Sequence, residues 1–356
     1  MSEPAPTPVL VVENLTTEFR IGGTWYPAVR GVGFTLGRNE TLALVGESGC
    51  GKSITALSII GLVPKANGRV TSGRVMLDGR DLLSLGEREM EKIRGNRISM
   101  IFQEPMTSLN PVMSVGQQIA EAVRLHRPIP AKAARQQAVE MLRLVRIPEP
   151  ERRATEYPHP LSGGMRQRAM IAMALACRPA LLIADEPTTA LDVTIQAAVL
   201  DVLRELRERL GMAIVLITHD LGVVADIADR VVIMYAGQKV EEAPVSELFA
   251  HPQHPYTIGL LGAAPRTADA VLPASGNGNG ARRPSAPERK RRRLVEIPGR
   301  VPALHGPPDH CPFAERCPRA DDRSRSEVPP LEAVRPGHLV ACFHPGEHHD
   351  QEVQPA

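Results

Sequence analysis

The feature that most constrains the fold is a glycine-rich segment between a short apolar run and a stretch of helical pattern. The segment reads Gly46-Glu47-Ser48-Gly49-Cys50-Gly51-Lys52-Ser53. It follows the apolar run Thr41–Val45, which predicts a buried strand, and it precedes residues 54–62, which predict a helix. In this context the glycines let successive N–H groups point at one anion, and the helix N-terminus adds a partial positive charge. The sequence therefore predicts a nucleotide phosphate site.

The side chains of this loop predict how a nucleotide would be held. Lys52 would supply a full positive charge to the outer phosphates, and the Ser53 hydroxyl would ligate Mg²⁺ beside them. Cys50 is expected to be a small filler of the loop and not a nucleophile. A glycine-rich turn with a chance lysine is the alternative, which the agreement of strand, spacing, Lys52 and Ser53 disfavours.

A second apolar run ends in two carboxylates. Leu181–Ala184 predicts a strand, and Asp185 and Glu186 follow it directly. Ligands collect at the carboxyl ends of strands in α/β sheets. Asp185 would therefore bind Mg²⁺ directly or through another ligand, and Glu186 would polarise the attacking water. The alternative is an ordinary acidic strand end.

Two more predicted strands end in polar side chains. Ala213–Thr218 ends at His219, and Arg97–Phe102 ends at Gln103. His219 could reach the terminal phosphate, and Gln103 could orient water or complete the coordination of Mg²⁺. From spacing alone, a purely structural role stays open for both residues.

With Leu161-Ser162-Gly163-Gly164-Met165 between them, these segments resemble the ATPase subunits of ABC transporters over roughly Val9–Pro265. Many nucleotide-hydrolysing proteins share the phosphate loop and the carboxylates, so the signature at 161–165 is the specific feature. Met165 departs from the family consensus, which has Gln, but the backbone donors are unaffected. The resemblance implies an α/β fold of the P-loop type with an antiparallel β subdomain, a helical subdomain and a loop-rich C-terminal extension.

The resemblance also assigns roles to individual residues. Two subunits of this family sandwich two ATP molecules, so Ser162, Gly163 and Gly164 would act on the nucleotide of the partner. Asp192 would bind nucleotide from the loop after the carboxylates, and the catalytic residues would be Glu186, His219 and Gln103. The implied Mg²⁺ ligands are Ser53, Gln103 and Asp185. Among the aromatic residues, Phe19 is predicted to stack on adenine, with Trp25 and Tyr26 as rivals or as mere packing residues.

A closer resemblance is to the ATPase subunits of dipeptide and oligopeptide importers, a family that also serves nickel and glutathione. The stretches that carry it are Gln103–Pro111, Leu161–Arg168, His254–Thr257, Ile297–Gly299 and Cys311–Pro318. It implies ATP hydrolysis coupled to di- or oligopeptide import, with nickel or glutathione import as the alternative. The implied partners are two membrane permease subunits, a second ATPase subunit in a homo- or heterodimer, and indirectly an extracytoplasmic solute-binding protein.

Charge and hydropathy limit the compartment and the partners. A net charge of +2 gives no global attraction to nucleic acid, so no nucleic-acid partner is expected. Met1–Pro8 lacks the plan of a signal peptide, and no run approaches the roughly 18 apolar residues of a membrane helix. We therefore expect a cytosolic chain that a partner recruits peripherally to the cytoplasmic face of the cell (inner) membrane.

The pattern along the chain predicts three parts. Residues 1–265 would form the ATPase domain, with antiparallel strands up to Glu40 and at Val75–Asp78 and a helical subdomain at about 106–178. Residues 266–293 would be a disordered basic linker, because this Gly-, Asn- and Arg-rich segment cannot bury apolar surface. Residues 294–356 would form the C-terminal extension. The predicted helices outside the loop region are Ser114–Leu125, Ala131–Val145, Gly164–Ala176 and Thr194–Leu210.

Cys311, Cys317 and Cys342 lie in the extension. In the peptide-importer family that this chain resembles, the extension often has four cysteines, which suggests an iron–sulfur cluster. In this chain the matching position, near Ser324, has no sulfur. Thiolates suit iron–sulfur or zinc sites, and His310, His338 or His344 could substitute for the missing ligand. We expect no cluster or a degenerate one, with a structural role.

Two other functional classes are alternatives to the predicted transport function. A soluble ABC ATPase of translation or DNA repair usually carries two motif sets, long coiled coils or zinc modules, and this chain has one set and a short helical segment. A regulatory module without catalysis is disfavoured because Lys52, Gln103, Glu186 and His219 are all present.

Overall fold

The computed structural model describes residues 7–103, 108–189, 192–263, 297–300, 302 and 309–346. The strands are β1 Leu10–Ile21, β2 Thr24–Leu36, β3 Thr41–Val45, β4 Gly68–Leu77, β5 Arg80–Asp81, β6 Ile98–Ile101, β7 Leu181–Asp185, β8 Ala213–Ile217, β9 Arg230–Tyr235, β10 Gln238–Pro244, β11 Glu332–Arg335 and β12 His338–Val340. The α-helices are α1 Lys52–Ile59, α2 Glu87–Ile93, α3 Val115–His126, α4 Ala131–Leu144, α5 Pro150–Arg153, α6 Gly163–Ala174, α7 Val193–Leu210, α8 Leu221–Ile227, α9 Val245–Ala250 and α10 Pro255–Ala263. Short 3₁₀ turns lie at Leu82–Ser84 and Ala314–Arg316.

These strands form two sheets. The smaller sheet has the order β2-β1-β4-β5 and is antiparallel. The larger has the order β11-β12-β10-β9-β3-β8-β7-β6. Strands β9, β3, β8, β7 and β6 are parallel neighbours, whereas β10, β12 and β11 continue the sheet with antiparallel pairing. The predicted α/β fold with an antiparallel β subdomain is confirmed.

The three central parallel strands, β3, β8 and β7, are fully buried, which explains their largely apolar sequences. Every residue of β3, β7 and β8 is buried, as expected for strands covered on both faces. The register sets Leu44 and Asp185 each opposite Ile217, and Ile101 opposite Ala184. The loops that follow β3, β6, β7 and β8 therefore meet at one edge of the sheet.

The helix after the phosphate loop starts earlier than predicted. Helix α1 begins at Lys52 and ends at Ile59, whereas the sequence pattern indicated residues 54–62. Its first turn is thus part of the loop motif. Gly61 has a φ of 69°, a left-handed conformation that ends helices, so the apolar pattern beyond Ile59 does not continue the helix.

The helices between β6 and β7 pack together with α7. Their shared core includes Val123 of α3, Leu142 of α4, Met170 of α6 and Leu203 of α7. Helix α3 is capped by Ser114, whose hydroxyl accepts from the backbone of Gln117. The predicted helices in this region are confirmed to within two residues at each end.

The C-terminal extension joins the edge of the larger sheet. Strand β12 pairs with β10, and Glu241 lies opposite Val340. The buried His338 ring of β12 lies 2.7 Å from a carboxylate oxygen of Glu241 in β10, which links the two strands further. The predicted linker at 266–293 lies outside the described residues. In the described parts of the chain, each helix is too short or too polar to cross a membrane.

Candidate active site

Glycine is required at two points of the phosphate loop because other parts of the chain approach its backbone closely. A Cβ at Gly46 would lie 2.2 Å from the carbonyl oxygen of Met234. A Cβ at Gly51 would lie 2.6 Å from the Ala28 carbonyl oxygen, and Gly51 also has a φ of 99°. The loop is therefore clamped between β2 and the end of β9, which fixes the path of its backbone.

Lys52 is buried at the centre of this loop. Its Nζ donates to the carbonyl oxygens of Gly46 at 2.7 Å and Glu47 at 3.1 Å. The ammonium group is therefore held over the loop rather than free in solvent. Cys50 is fully buried beside it, and burial raises the pKa of the thiol, which agrees with a filler role and not with a nucleophile.

Asp185 offers a cation site at the end of β7. The side chain is buried, and its Oδ1 has no hydrogen-bond partner among the described residues. Burial raises the pKa of Asp185, and a hydrogen bond with Ser53 partly opposes this shift. A buried carboxylate oxygen without a partner, beside a serine hydroxyl, suits the oxygen ligands that Mg²⁺ prefers. Both residues thus fit the predicted metal site.

Glu186 is the centre of a hydrogen-bonded cluster. The His219 Nδ1 lies 3.0 Å from its Oε1, while the Gln103 amide donates to its Oε2 at 3.1 Å. The Thr189 hydroxyl also donates to Oε2, at 2.8 Å. Glu186 has a φ of 47°, a left-handed backbone that turns the chain sharply after β7. The structure therefore brings together all three predicted catalytic residues, drawn from the ends of three different strands.

These contacts keep Glu186 ionised. Burial alone would raise its pKa, but the hydrogen bonds from His219 and Thr189 outweigh that effect and the pKa is lowered. An ionised carboxylate can accept a proton from water, while His219 is largely exposed and can contact a bound group. Lys52 and Asp185 lie at the same edge of the sheet. Together with them, the Glu186 cluster can perform phosphoryl transfer to water.

The signature residues lie at the start of α6. Ser162 caps this helix by accepting from the Met165 N–H at 3.4 Å, and Ser162 and Gly163 are exposed. A Cβ at Gly164 would lie 2.7 Å from the Ile195 side chain, so a small residue is needed where α6 meets α7. Asp192 caps α7 by accepting from the Ile195 N–H at 2.9 Å. The signature and Asp192 are therefore neighbours, and their action on a partner's nucleotide stays a prediction.

Comparisons with known proteins agree with this geometry. A family model described as "ABC transporter" matches residues 29–189, and one described as "Oligopeptide/dipeptide transporter, C-terminal region" matches residues 240–286 and 283–323. The chain is 52% identical over 349 residues to a probable peptide ABC transporter ATP-binding protein of Sinorhizobium fredii, covering 97% of this chain and 98% of that one. It is 51% identical over 339 residues to a dipeptide transport ATP-binding protein of Bacillus subtilis, covering 94% of each.

The chain belongs to the oligopeptide/dipeptide family of ABC transporter ATP-binding subunits. Solved ABC cassettes share its fold. One is a dimeric cassette in a post-hydrolysis state with ADP and Pi, with a TM-score of 0.60 and 28% identity over 66% of this chain and 98% of that one. Another belongs to an ABC transporter complex of Clostridium perfringens, with a TM-score of 0.60 and 28% identity over 68% of this chain and 91% of that one.

The aromatic partner of adenine in this ABC subunit stays a prediction. Phe19 and Tyr26 face each other across β1 and β2, and a Cβ at Gly68 would lie 2.9 Å from the Phe19 ring. The guanidinium of Arg69 lies over the Trp25 ring, 4.0 Å from the centroid of that ring. Trp25 thus packs against a cation, while Phe19 packs against Gly68.

The cysteines of the extension meet at one small cavity. Cys311, Cys317 and Cys342 line it together with Ser324, the residue at the position where the fourth cysteine was expected. The Ser324 hydroxyl is engaged in a turn, since it donates to the Asp321 carbonyl at 2.9 Å. Burial raises the pKa of all three thiols, and that of Cys342 to about 11, so the protonated form dominates.

The histidines considered as substitutes are held by carboxylates. His310 pairs with Asp309, His338 with Glu241 and His344 with Asp321. No group of three or more His, Cys, Asp and Glu side chains within the described ranges could hold a metal ion. With three thiols and these histidines already paired, the described residues leave a four-iron cluster one ligand short, and the expectation of no cluster or a degenerate one stays a prediction.

Several contacts of the ATP site were not predicted. Thr189 bonds to Glu186, and the buried Gln167 of α6 donates to the carbonyl oxygen of Pro187. Neither contact has a motif that marks it, although both residues lie within a few positions of predicted site residues.

Glu47 has contacts that the sequence did not predict. Its N–H donates to the Tyr256 hydroxyl at 2.8 Å, and its carboxylate pairs with Arg316. The C-terminal extension thus lies against the outer side of the loop, and a contact of Glu47 with phosphate stays a prediction.

Proposed function

We propose that this chain is the ATP-hydrolysing subunit that energises import of di- and oligopeptides by an ABC transporter. The observation that carries the proposal is the hydrogen-bonded cluster of Glu186 with Gln103, His219 and Thr189, set beside the buried Lys52. Such a cluster is suited to ATP hydrolysis. The peptide substrate rests on the relatives, which are named as peptide transport proteins and align over nearly the whole chain.

Each site residue has its own role in the hydrolysis of ATP by water to ADP and phosphate. Lys52 and the N–H groups at the start of α1 hold the phosphates, and Ser53 and Asp185 hold Mg²⁺, with Gln103 as a further ligand. Bound Mg²⁺ neutralises charge on the phosphates. Glu186 accepts hydrogen bonds from the attacking water and polarises it, and His219 contacts the terminal phosphate. Positioning and charge neutralisation are sufficient for this chemistry.

We further propose that two ATPase subunits work together. Ser162 and the N–H groups of Gly163 and Gly164 would complete the nucleotide site of the partner subunit, assisted by Asp192. The exposure of Ser162 and Gly163 at the start of α6 supports this arrangement, as does the dimeric state of the related solved cassettes. The partner is a second copy or a related ATPase subunit.

The membrane partners would be two permease subunits, with a solute-binding protein on the other side. Val112 and Leu125, at either end of the α3 region, are 78% and 75% exposed, which supports a contact of the helical subdomain with another protein. Closure of the ATPase dimer would move this subdomain, and the Gln103 region would pass the motion to the permeases. The chain would then lie peripherally at the cytoplasmic face of the inner membrane.

The test is to tag this chain, purify it from native membranes in mild detergent and identify the proteins that accompany it. We expect two polytopic permeases, with or without a second ATPase. The identical procedure with Lys52→Ala shows whether the assembly depends on nucleotide. Ribosomes or DNA-repair factors without a membrane protein would contradict the transport function and leave only ATP hydrolysis.

A further inference from the structure

The C-terminal extension reaches the phosphate loop through one arginine. Arg316 lies in the 3₁₀ turn Ala314–Arg316, and its guanidinium forms a two-pronged ion pair with Glu47, the second residue of the loop. Its Nη1 donates to Glu47 Oε2 at 2.8 Å, and its Nη2 donates to Oε1 at 3.0 Å. Parallel bonds of this kind are among the strongest charge-assisted hydrogen bonds.

Arg316 is fixed by its surroundings and not simply attracted to Glu47. Its side chain is 6% exposed. Its Nε donates to the Pro298 carbonyl at 2.8 Å, and further bonds go to the Tyr235 hydroxyl at 3.3 Å and the Ile297 carbonyl at 3.4 Å. With the two bonds to Glu47, all five N–H donors of the guanidinium have acceptors.

The backbone of Glu47 is held as well. Its N–H donates to the Tyr256 hydroxyl at 2.8 Å, while its carbonyl accepts from Lys52 at 3.1 Å. Tyr256 belongs to an aromatic cluster in which the Tyr235 and Tyr256 ring centroids lie 4.7 Å apart, and Phe313 of the extension packs on both rings. Glu47 therefore connects the extension to the lysine that would hold the phosphates.

The charge of Glu47 makes this connection important for nucleotide binding. A carboxylate in the phosphate loop repels a polyphosphate, and the repulsion is strong where solvent is partly excluded. The Glu47 side chain is 26% exposed, so solvent screens it incompletely. The paired guanidinium of Arg316 both neutralises this charge and holds the carboxylate on the outer side of the loop.

We infer that Arg316 is a positioning residue of the nucleotide site, through which the C-terminal extension sets the affinity of the phosphate loop for ATP. The inference rests on the proposed function only in that the loop binds ATP. It goes further by giving the extension a role in the ATPase cycle. Because coupling is reciprocal, nucleotide bound at the loop strengthens the docking of the extension by the same factor.

The experiment is a double-mutant cycle on the purified full chain, with the non-hydrolysable analogue AMP-PNP and Mg²⁺ as the probe. Arg316→Met should raise the Kd by about fivefold or more, which is the lower range of measured couplings. In the Glu47→Gln background the same change should alter the Kd by less than about twofold, since no unpaired carboxylate remains. In ATPase assays of the purified transporter, Arg316→Met should raise KM with little change in kcat.

The matched control is Arg335→Met. Arg335 also pairs the extension with the core, through Glu247 at 2.6 Å, but the pair does not touch the phosphate loop. The Kd of the Arg335→Met variant for AMP-PNP should equal that of the wild type. An Arg316→Met effect of equal size in both backgrounds, or no effect at all, would overturn the inference while leaving ATP binding by the wild type in place.

A measurement on the wild type covers the case in which Arg316→Met does not fold. Amide hydrogen exchange is followed across the extension with and without AMP-PNP. The Arg316 N–H, which donates to the Phe313 carbonyl, and the Cys311 N–H, which donates to Ser324, should exchange more slowly with nucleotide. Unchanged exchange at both amides, in a sample that binds AMP-PNP, would contradict the coupling. Absence of AMP-PNP binding by the wild type would instead contradict the proposed function.

Discussion

Two groups of side chains border the phosphate loop, and they are built in different ways. On one side, Glu186, Gln103 and His219 come from the ends of parallel strands and meet because those strands lie in register. On the other side, Glu47 meets Arg316, which is 269 positions away in the chain. The first group can perform chemistry on a phosphate. The second touches only the outer side of the loop and can control how well the loop holds it.

Under the proposed roles, this difference implies that catalysis and affinity have separate structural origins in this subunit. The catalytic side is part of the nucleotide core, and among the described residues Glu186 bonds to side chains of that core: Gln103, Thr189 and His219. The outer side depends on the docking of the extension through the aromatic cluster of Tyr235, Tyr256 and Phe313. Substitutions on the first side should therefore change kcat, and those on the second side should change nucleotide affinity.

The largest effect is expected for Glu186→Gln. The amide cannot accept the proton of the attacking water, so turnover should fall by about 10²–10⁴-fold, the usual contribution of a general base. The affinity for AMP-PNP should change by less than about twofold, because the phosphate loop is intact. Steady-state ATPase rates and equilibrium binding test both parts, and substantial residual hydrolysis would remove Glu186 from its role.

Lys52→Ala should act on binding. Loss of the buried ammonium should weaken AMP-PNP binding by about 10–150-fold, the value of one hydrogen bond to a charged group. The matched control is Lys65→Ala, since Lys65 is exposed and pairs with Glu87 away from the loop. Titration calorimetry distinguishes the two variants, and equal affinities would count against the loop assignment.

Phe313→Ala should loosen the docking of the extension on the core. Phe313 is 3% exposed and packs on Tyr235 and Tyr256, so truncation should cost about 3–5 kcal/mol of local stability. We expect faster proteolysis of the extension and weaker AMP-PNP binding, with kcat nearly unchanged. Leu331→Ala is the control, because Leu331 is 40% exposed on the same extension. If the extension of Phe313→Ala is detached but the variant binds AMP-PNP with wild-type affinity, the extension does not control the affinity of the phosphate loop.

Thr189→Val should give the smallest effect, a shift in the pH dependence of turnover. The pKa of Glu186 is raised by burial but lowered overall by hydrogen bonds, first from His219 and then from Thr189. Removing the Thr189 hydroxyl removes one lowering contribution, so the pKa rises. Turnover needs the ionised carboxylate, and its acid limb should therefore move to higher pH. A kcat profile measures this, and a limb that stays in place or moves to lower pH would contradict the assigned contact.

The sequence predicted which side chains meet on the catalytic side, because the information for that side is local. Short apolar runs predict β3, β6, β7 and β8, and parallel pairing then collects the residues that follow them. Helix α1 starts earlier than the apolar pattern indicates, because its first turn, which begins at Lys52, lies within the glycine-rich motif. Thr189 was not predicted because its contact depends on the left-handed turn at Glu186.

The outer side could not be predicted, because its partners are brought together only by the docking of the extension. The stretch around His254–Thr257 stood out only through resemblance, and nothing in it shows that Tyr256 accepts from the Glu47 N–H. Arg316 lies between two cysteines that drew attention to metal binding, while its own partner is set by the fold of the extension against β9 and α10. Pairings of this kind have no spacing that marks them in a sequence.

The most direct test of peptide import is uptake by the purified transporter in proteoliposomes, with ATP inside and the binding protein and labelled solute outside. Labelled di- and oligopeptides, nickel and glutathione are compared, with Glu186→Gln as the matched variant. We expect peptide to accumulate only with ATP and only with the wild-type subunit. Peptide uptake that continues with Glu186→Gln, or ATP hydrolysis that moves no peptide, would contradict the proposal that this chain powers peptide import.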